Sequence, residues 1–177
     1  MKRLMTIFDT APLITCCKFE VDGQPIVDHI LPHCHIIIPS AVRQELVAEQ
    51  GRYPDAVIAA DRVSRGTIEV REVCLPNENV LDYYGLGEGE QEAIAMGLEL
   101  DEEIDALVMD DKLGYIVCGR LELKQTFLLD LILRLAQDTR IDREQARRMI
   151  EATRSRYTAG MVKHSLSILD RGERKCL

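Results

Sequence analysis

The sequence predicts an α/β protein: a three-layer α/β/α sandwich with a central, mostly parallel sheet covered by helices on both faces. Three observations predict it. Short apolar runs alternate with helix-like segments along the chain, the pattern that right-handed βαβ crossovers produce. Two of those runs stop abruptly on acidic residues, Asp9 after LMTIF and Asp110-Asp111 after DALVM, as happens where buried strands deliver side chains to the carboxyl edge of a sheet. Finally, 177 residues suffice for one hydrophobic core without disulfides or a structural metal.

Taken in order, Leu4 to Phe8 is a strand buried on both faces and ends on Asp9. Apolar spacing through Leu13, Ile14 and Cys17, and again through Ile26, Val27, Ile30 and Leu31, suggests two short helices separated by the turn Asp22-Gly23. His35 to Ile38 is a β-branched strand closed by Pro39, and Ser40 is a candidate N-cap for a helix carrying Val42, Glu45, Leu46 and Ala48. Asp55 to Val63 reads as a helix ending near Gly66, and Thr67 to Val73 alternates like a strand at the sheet edge. Leu75 to Gly89 is loop-like, with Pro76, two Asn and three Gly, and runs into a strongly helical Glu90 to Met96. Asp105 to Met109 is a strand followed by a helix over Lys112 to Cys118, and Leu121 to Thr126 is a last short strand. Leu128 to Ala136 and Asp142 to Tyr157 are amphipathic helices, the second opened by a capping box of Asp142 and Gln145. Residues 1–177 are therefore expected to form a single domain, with 127–177 a helical extension packed on it.

Composition narrows the function classes. Hydrophobic residues at 46% and charged residues at 29% exclude a disordered chain. No apolar run approaches the roughly 20 residues needed to span a bilayer, and nothing in the opening MKRLMTIFDT reads as an export signal, so a cytoplasmic protein without membrane contact is expected. The six cysteines lack any CxxC pair and read as reduced, mostly buried thiols rather than a disulfide framework or zinc ribbon. A net charge of −8 argues against broad adhesion to nucleic acid. Its distribution is uneven: residues 130–177 hold 11 basic against 7 acidic residues, leaving 11 against 23 in the rest.

Asp9, Asp110 and Asp111 fall at strand ends, where open parallel sheets place their chemistry. Glu45 and Glu90 fall in the early part of helices that would pack beside those ends. Carboxylates gathered in one cleft repel one another unless a cation offsets them, and hard oxygen donors point to Mg²⁺ or Mn²⁺. Such an ion activates water for attack on a phosphodiester without a protein nucleophile. On spacing alone, the same acids could equally be helix caps and dipole partners.

Four local patterns occur in the order of the PIN-domain family, over nearly the whole chain. They are Phe8-Asp9-Thr10-Ala11-Pro12-Leu13-Ile14, Pro39-Ser40-Ala41-Val42-Arg43-Gln44-Glu45-Leu46, Leu86-Gly87-Glu88-Gly89-Glu90-Gln91-Glu92-Ala93-Ile94, and Leu107-Val108-Met109-Asp110-Asp111-Lys112. The chain thus resembles prokaryotic PIN ribonucleases of the VapC-like or a related kind. The resemblance implies hydrolysis of RNA phosphodiesters with Mg²⁺ or Mn²⁺, often by a homodimer, and in toxin-antitoxin pairs an antitoxin protein as partner. Carried over position by position, it implies Asp9, Glu45 and Glu90 as catalytic, metal-binding acids with Asp110 or Asp111 as the fourth, and Glu88 and Glu92 as weaker substitutes. Thr10, beside Asp9, is a substrate-binding candidate. Many family members carry Thr or Ser just before the last acid, where this chain has Met109 and Asp110, so both aspartates stay open.

Arg140, Arg143, Arg147 and Arg154 recur at roughly helical spacing and suggest a phosphate-tracking rim, with Arg143 and Arg147 as its centre. The bland alternative is a solvated face paired with Glu144 and Glu151. His29, His33, Cys34 and His35 lie close in sequence, but Pro32 breaks the helix that would align them for zinc. No G-x-x-x-x-G-K-[ST] loop occurs. Two other function classes compete with a nuclease. One is a catalytically inactive PIN-like module binding RNA or protein. The other is a phosphotransfer receiver domain, whose acids should cluster near the chain start and here do not.

Overall fold

The computed structural model describes residues 2–75 and 80–172. Strand β1 (Leu4–Phe8) leads into α1 (Thr10–Lys18), and a hairpin of β2 (Glu20–Val21) and β3 (Gln24–Pro25) precedes α2 (Ile26–Ile30). Strand β4 (Cys34–Pro39) runs directly into α3 (Ser40–Glu49), and α4 (Pro54–Ser64) returns to β5 (Glu69–Arg71). A 3-10 turn at Val80–Tyr84 is followed by α5 (Glu88–Glu99), β6 (Ala106–Val108), α6 (Lys112–Arg120) and β7 (Gln125–Thr126). The chain closes with α7 (Leu128–Gln137), α8 (Arg143–Ala152), a 3-10 turn at Thr153–Ser155 and α9 (Ala159–Arg171).

Five strands form one sheet in the order β5-β4-β1-β6-β7, and every pairing in it is parallel. The chain works outward from β1 through β4 to β5, then crosses back to place β6 on the other flank of β1. Strand order therefore reverses between β1 and β6, and a crevice opens at their carboxyl ends. Successive side chains of a strand face opposite sides, which explains why LMTIF and CHIIIP are apolar on both faces except for the buried Thr6 and the partly exposed His35. Phe8, Ile36 and Ile38 enter a core shared with α1, α2, α3 and α7 to α9, while Ile7, Ile37 and Leu107 enter a second core under α5 and α6. The three-layer α/β/α sandwich with a parallel central sheet is the observed architecture. No helix among the described residues is long and apolar enough to cross a membrane.

Several expectations change in detail. Asp22-Gly23 joins two strands rather than two helices, because both residues are left-handed (φ 53° and 76°), the backbone a two-residue hairpin turn requires. The last strand shrinks to Gln125–Thr126, since Glu122 adopts φ 59° and turns the chain. Helix α8 stops at Ala152, so Tyr157 lies beyond it. Helix α9, not anticipated, starts where the Thr158 hydroxyl accepts the Met161 amide and stops at left-handed Gly172.

Ser40 is the first residue of α3 rather than its cap. The buried Glu92 carboxylate accepts the Ala41 amide at 2.8 Å and the Ser40 hydroxyl at 3.1 Å, so α5 supplies the anion that satisfies the amino end of α3. Cys16, Cys17, Cys34 and Cys118 are free and buried and Cys74 is exposed. Cys176, and residues 76–79 of the expected 75–89 loop, lie outside the described residues.

Candidate active site

Asp9 stands where β1 ends. Its amide donates to Val108 O at 3.1 Å, which fixes it against β6 at the point of strand reversal. It occupies the N-cap position of α1, yet its side chain makes no capping hydrogen bond. It is also 3% exposed. Burial pushes its carboxyl up to about 7, the nearby Glu90 and Glu45 charges add to the rise, and the Thr10 and Ala11 amides only partly offset it. A group with this environment is unlike a helix cap, which would be held charged by the amides it accepts.

The other acids arrive from three different elements. Glu45 lies on α3, one and a half turns in; the Thr10 hydroxyl donates to its Oε2. Its Oε1 lies so near Gly89 that a Cβ there would sit 2.7 Å away. Glu90, in the first turn of α5, accepts the Gly87 amide at 2.9 Å. Its carboxyl is raised by burial first, then by the Asp111 and Glu45 charges. Asp111 caps α6, its Oδ1 accepting the Leu113 and Gly114 amides at 2.7 and 2.9 Å. Asp9, Glu45, Glu90 and Asp111 thus form one group linked by mutual repulsion.

Asp110 is separate from it. Its carboxylate accepts the Leu128 amide at 3.1 Å and the Tyr157 hydroxyl, tying the end of β6 to α7 and to the segment before α9. Burial raises its pKa, while Tyr157, Leu128 and Arg156 pull it down. Between the two aspartates left open by the sequence, the structure brings Asp111 to the other acids and turns Asp110 to a structural tie. Glu92 holds α3, as described above, and Glu88 is exposed on the first turn of α5.

Arg147 pairs with Asp170 and lies 3.8 Å from Glu144. The Arg143 guanidinium packs against Gly172. Both stand on α8, and the structure engages them there rather than bringing them to the acids. His29 Nε2 donates to Val21 O at 2.9 Å while its Nδ1 accepts the Gln145 side-chain amide at 3.0 Å, and His35 pairs with Glu69, so these two histidines serve different contacts.

Among the described residues, no three His, Cys, Asp or Glu side chains form a ready-made metal cage. Glu45, Glu90 and Asp111 are each turned onto a local donor. The donor set nonetheless fits a hard divalent cation: all oxygens, mutually repulsive, around a buried carboxylate that lacks a strong partner.

The contact at Gly89 gives a sharp test of geometry. Gly89→Ala would favour helix α5 by about 0.5–1 kcal/mol while forcing the flexible Glu45 carboxylate aside. The expected outcome is an unchanged or higher melting temperature, because only the far end of a flexible side chain has to move. A melting temperature lowered by several degrees would show that the Glu45 carboxylate is fixed in place.

A family model described as a PIN domain matches residues 5–171. Among curated proteins the chain has no match. Among solved structures it is similar to a domain of a functionally unknown protein from Methanocaldococcus jannaschii DSM 2661. The two are 21% identical with a TM-score of 0.40, over 70% of this chain and 90% of that one, a likeness too slight to support any functional argument.

Proposed function

We propose that this chain, which belongs to the PIN-domain family, is a divalent-metal-dependent endoribonuclease acting at the crevice between the ends of β1 and β6. PIN domains are generally nucleases and typically use divalent metals. The observation that carries the finer reading is Asp9: a buried carboxylate, uncapped, with its pKa lifted to about 7 between Glu90 and Glu45. That arrangement costs stability that the Thr10 and Ala11 amides only partly offset, as a site shaped for charge would.

In this reading Asp9, Glu45, Glu90 and Asp111 hold Mg²⁺ or Mn²⁺. When bound, the ion supplies Lewis-acid activation of water and positive charge beside the scissile phosphate. Asp9 stands at the floor of the crevice, fixed against β6 by its amide. Thr10 keeps Glu45 at the mouth through its hydroxyl, and the α6 amides orient Asp111. Asp110 and Tyr157 hold the end of β6 in place without touching substrate. RNA as substrate follows from the family resemblance.

The test is cleavage of a mixed single-stranded RNA pool by the purified protein. Internal cuts with Mn²⁺, abolished by EDTA and absent on a matched DNA pool, are expected. An RNA pool left intact at saturating Mn²⁺ would reject the assignment and favour a binding module that uses the fold without catalysis.

A further inference from the structure

A cavity of about 210 Å³ lies between α1 and the turn after α8, lined among others by Ala11, Ile14, Lys18, Phe19, Ser155 and Arg156. It begins two residues after Asp9 and runs along α1. Lys18 and Arg156, from positions far apart in the chain, converge on it, and both are exposed. Two arginines of α8 are already neutralised: Arg147 holds Asp170, and Arg148 holds Asp22 and lies 3.8 Å from Glu144. Lys18 and Arg156 make no ion pair among the described residues. The Lys18 ammonium lies 5.9 Å from the Phe19 ring centre.

The turn carrying Ser155 and Arg156 is held in place rather than free. Its neighbour Tyr157 donates to Asp110, at the end of the strand beside β1, and the Arg156 amide donates to Thr153 O at 2.8 Å. The cavity starts at Ala11, two residues from Asp9, and two cations from different parts of the chain line it, the opposite charge to that of the acids.

We propose that this cavity is a subsite for a backbone phosphate of single-stranded RNA flanking the scissile bond, an inference that rests on the nuclease reading of the crevice. Lys18 and Arg156 contact the phosphate, the Ser155 hydroxyl donates to it, and Ile14 with Phe19 packs against the adjoining sugar or base. A nine-residue helix is about 13 Å long, so a phosphate near Lys18 lies beyond the one held at the acids. An acidic protein can bind a polyanion in this way because the contact is local: phosphate binding responds to nearby cations and not to net charge.

The experiment uses the full chain carrying Asp9→Asn, which separates binding from cleavage. Affinity for a labelled single-stranded RNA 12-mer is measured between 50 and 200 mM salt, with and without Lys18→Gln plus Arg156→Gln. Losing one phosphate contact should lower the slope of log affinity against log salt by about 0.7 and weaken binding several-fold at the lowest salt. Arg147→Gln, whose side chain is already paired, should change the slope less. An unchanged slope in the double variant, or a parent protein whose RNA binding shows no salt dependence, overturns the subsite. A reduced slope from a protein that never cleaves RNA would sustain the subsite while the nuclease reading fails, and cleavage with an unchanged slope would do the reverse.

Discussion

Asp9→Asn is expected to lower Mn²⁺-dependent RNA cleavage by at least about 100-fold, since even residues that only support a metal ligand cost 10- to 100-fold when lost. The same substitution should make the metal-free protein more stable at neutral and alkaline pH. The sign follows from the Asp9 pKa, which rises on folding from 3.8 to about 7. Between those values the folded state holds a proton that the unfolded state has released. Stability contributed by this group is therefore lost as pH climbs from about 4 to 7, and the full penalty is present above 7. With a side chain 3% exposed, the penalty is on the order of a few kcal/mol.

Asn keeps the shape and removes the charge, so the melting temperature of the variant should exceed that of the parent at pH 8 and converge with it near pH 4. Mn²⁺ should raise the melting temperature of the parent at pH 8 through binding to the folded state, and raise that of the variant much less. A variant that cleaves RNA normally, or that is less stable than the parent at pH 8, would contradict the role given to Asp9.

Phe8→Ala is expected to cost about 3–5 kcal/mol, the largest stability loss of any single change considered. Phe8 is fully buried and belongs to the core that joins β1 to α1, α3 and the last three helices. Truncation removes its apolar contacts and leaves a cavity that the flanking strands β4 and β6 cannot close, because their registers are fixed by pairing on both sides of β1. Set against a total stability of 5–15 kcal/mol for a domain, this is a large fraction. Urea denaturation of the two proteins measures it directly. A difference under about 1 kcal/mol would mean that this core repacks freely around the missing ring.

Helices and sheet were legible in the sequence wherever local pattern decides them. The runs LMTIF and HIII read as strands buried on both faces, since they are short, mostly apolar and rich in β-branched residues, and their abrupt acidic or proline ends marked the edge of the sheet. The hairpin at Asp22-Gly23 was readable as a turn but not as a strand pair, because two-residue strands carry almost no periodic signal. Helix α9 was missed although its cap Thr158 and stop Gly172 are ordinary signals. Its apolar positions Met161, Val162, Leu166, Ile168 and Leu169 recur at helical spacing, so the signal for this helix was present in the sequence.

For the site, the sequence by itself determined which residue types stand at the strand and helix ends: Asp9, Glu45, Glu90 and the Asp110-Asp111 pair. It could not choose within that pair. Adjacent residues leaving a strand point in different directions, and only the packing of α6, α7 and Tyr157 decides which carboxylate ties β6 to α7 and Tyr157 and which caps α6 beside Glu90. The same holds for the cations. Arg143 and Arg147 share a helical stripe with other arginines, but pairing with residues distant in sequence decides which charges remain available. The fold brings Lys18 and Arg156 together across 138 positions, a proximity created by tertiary contact and carried by no local pattern.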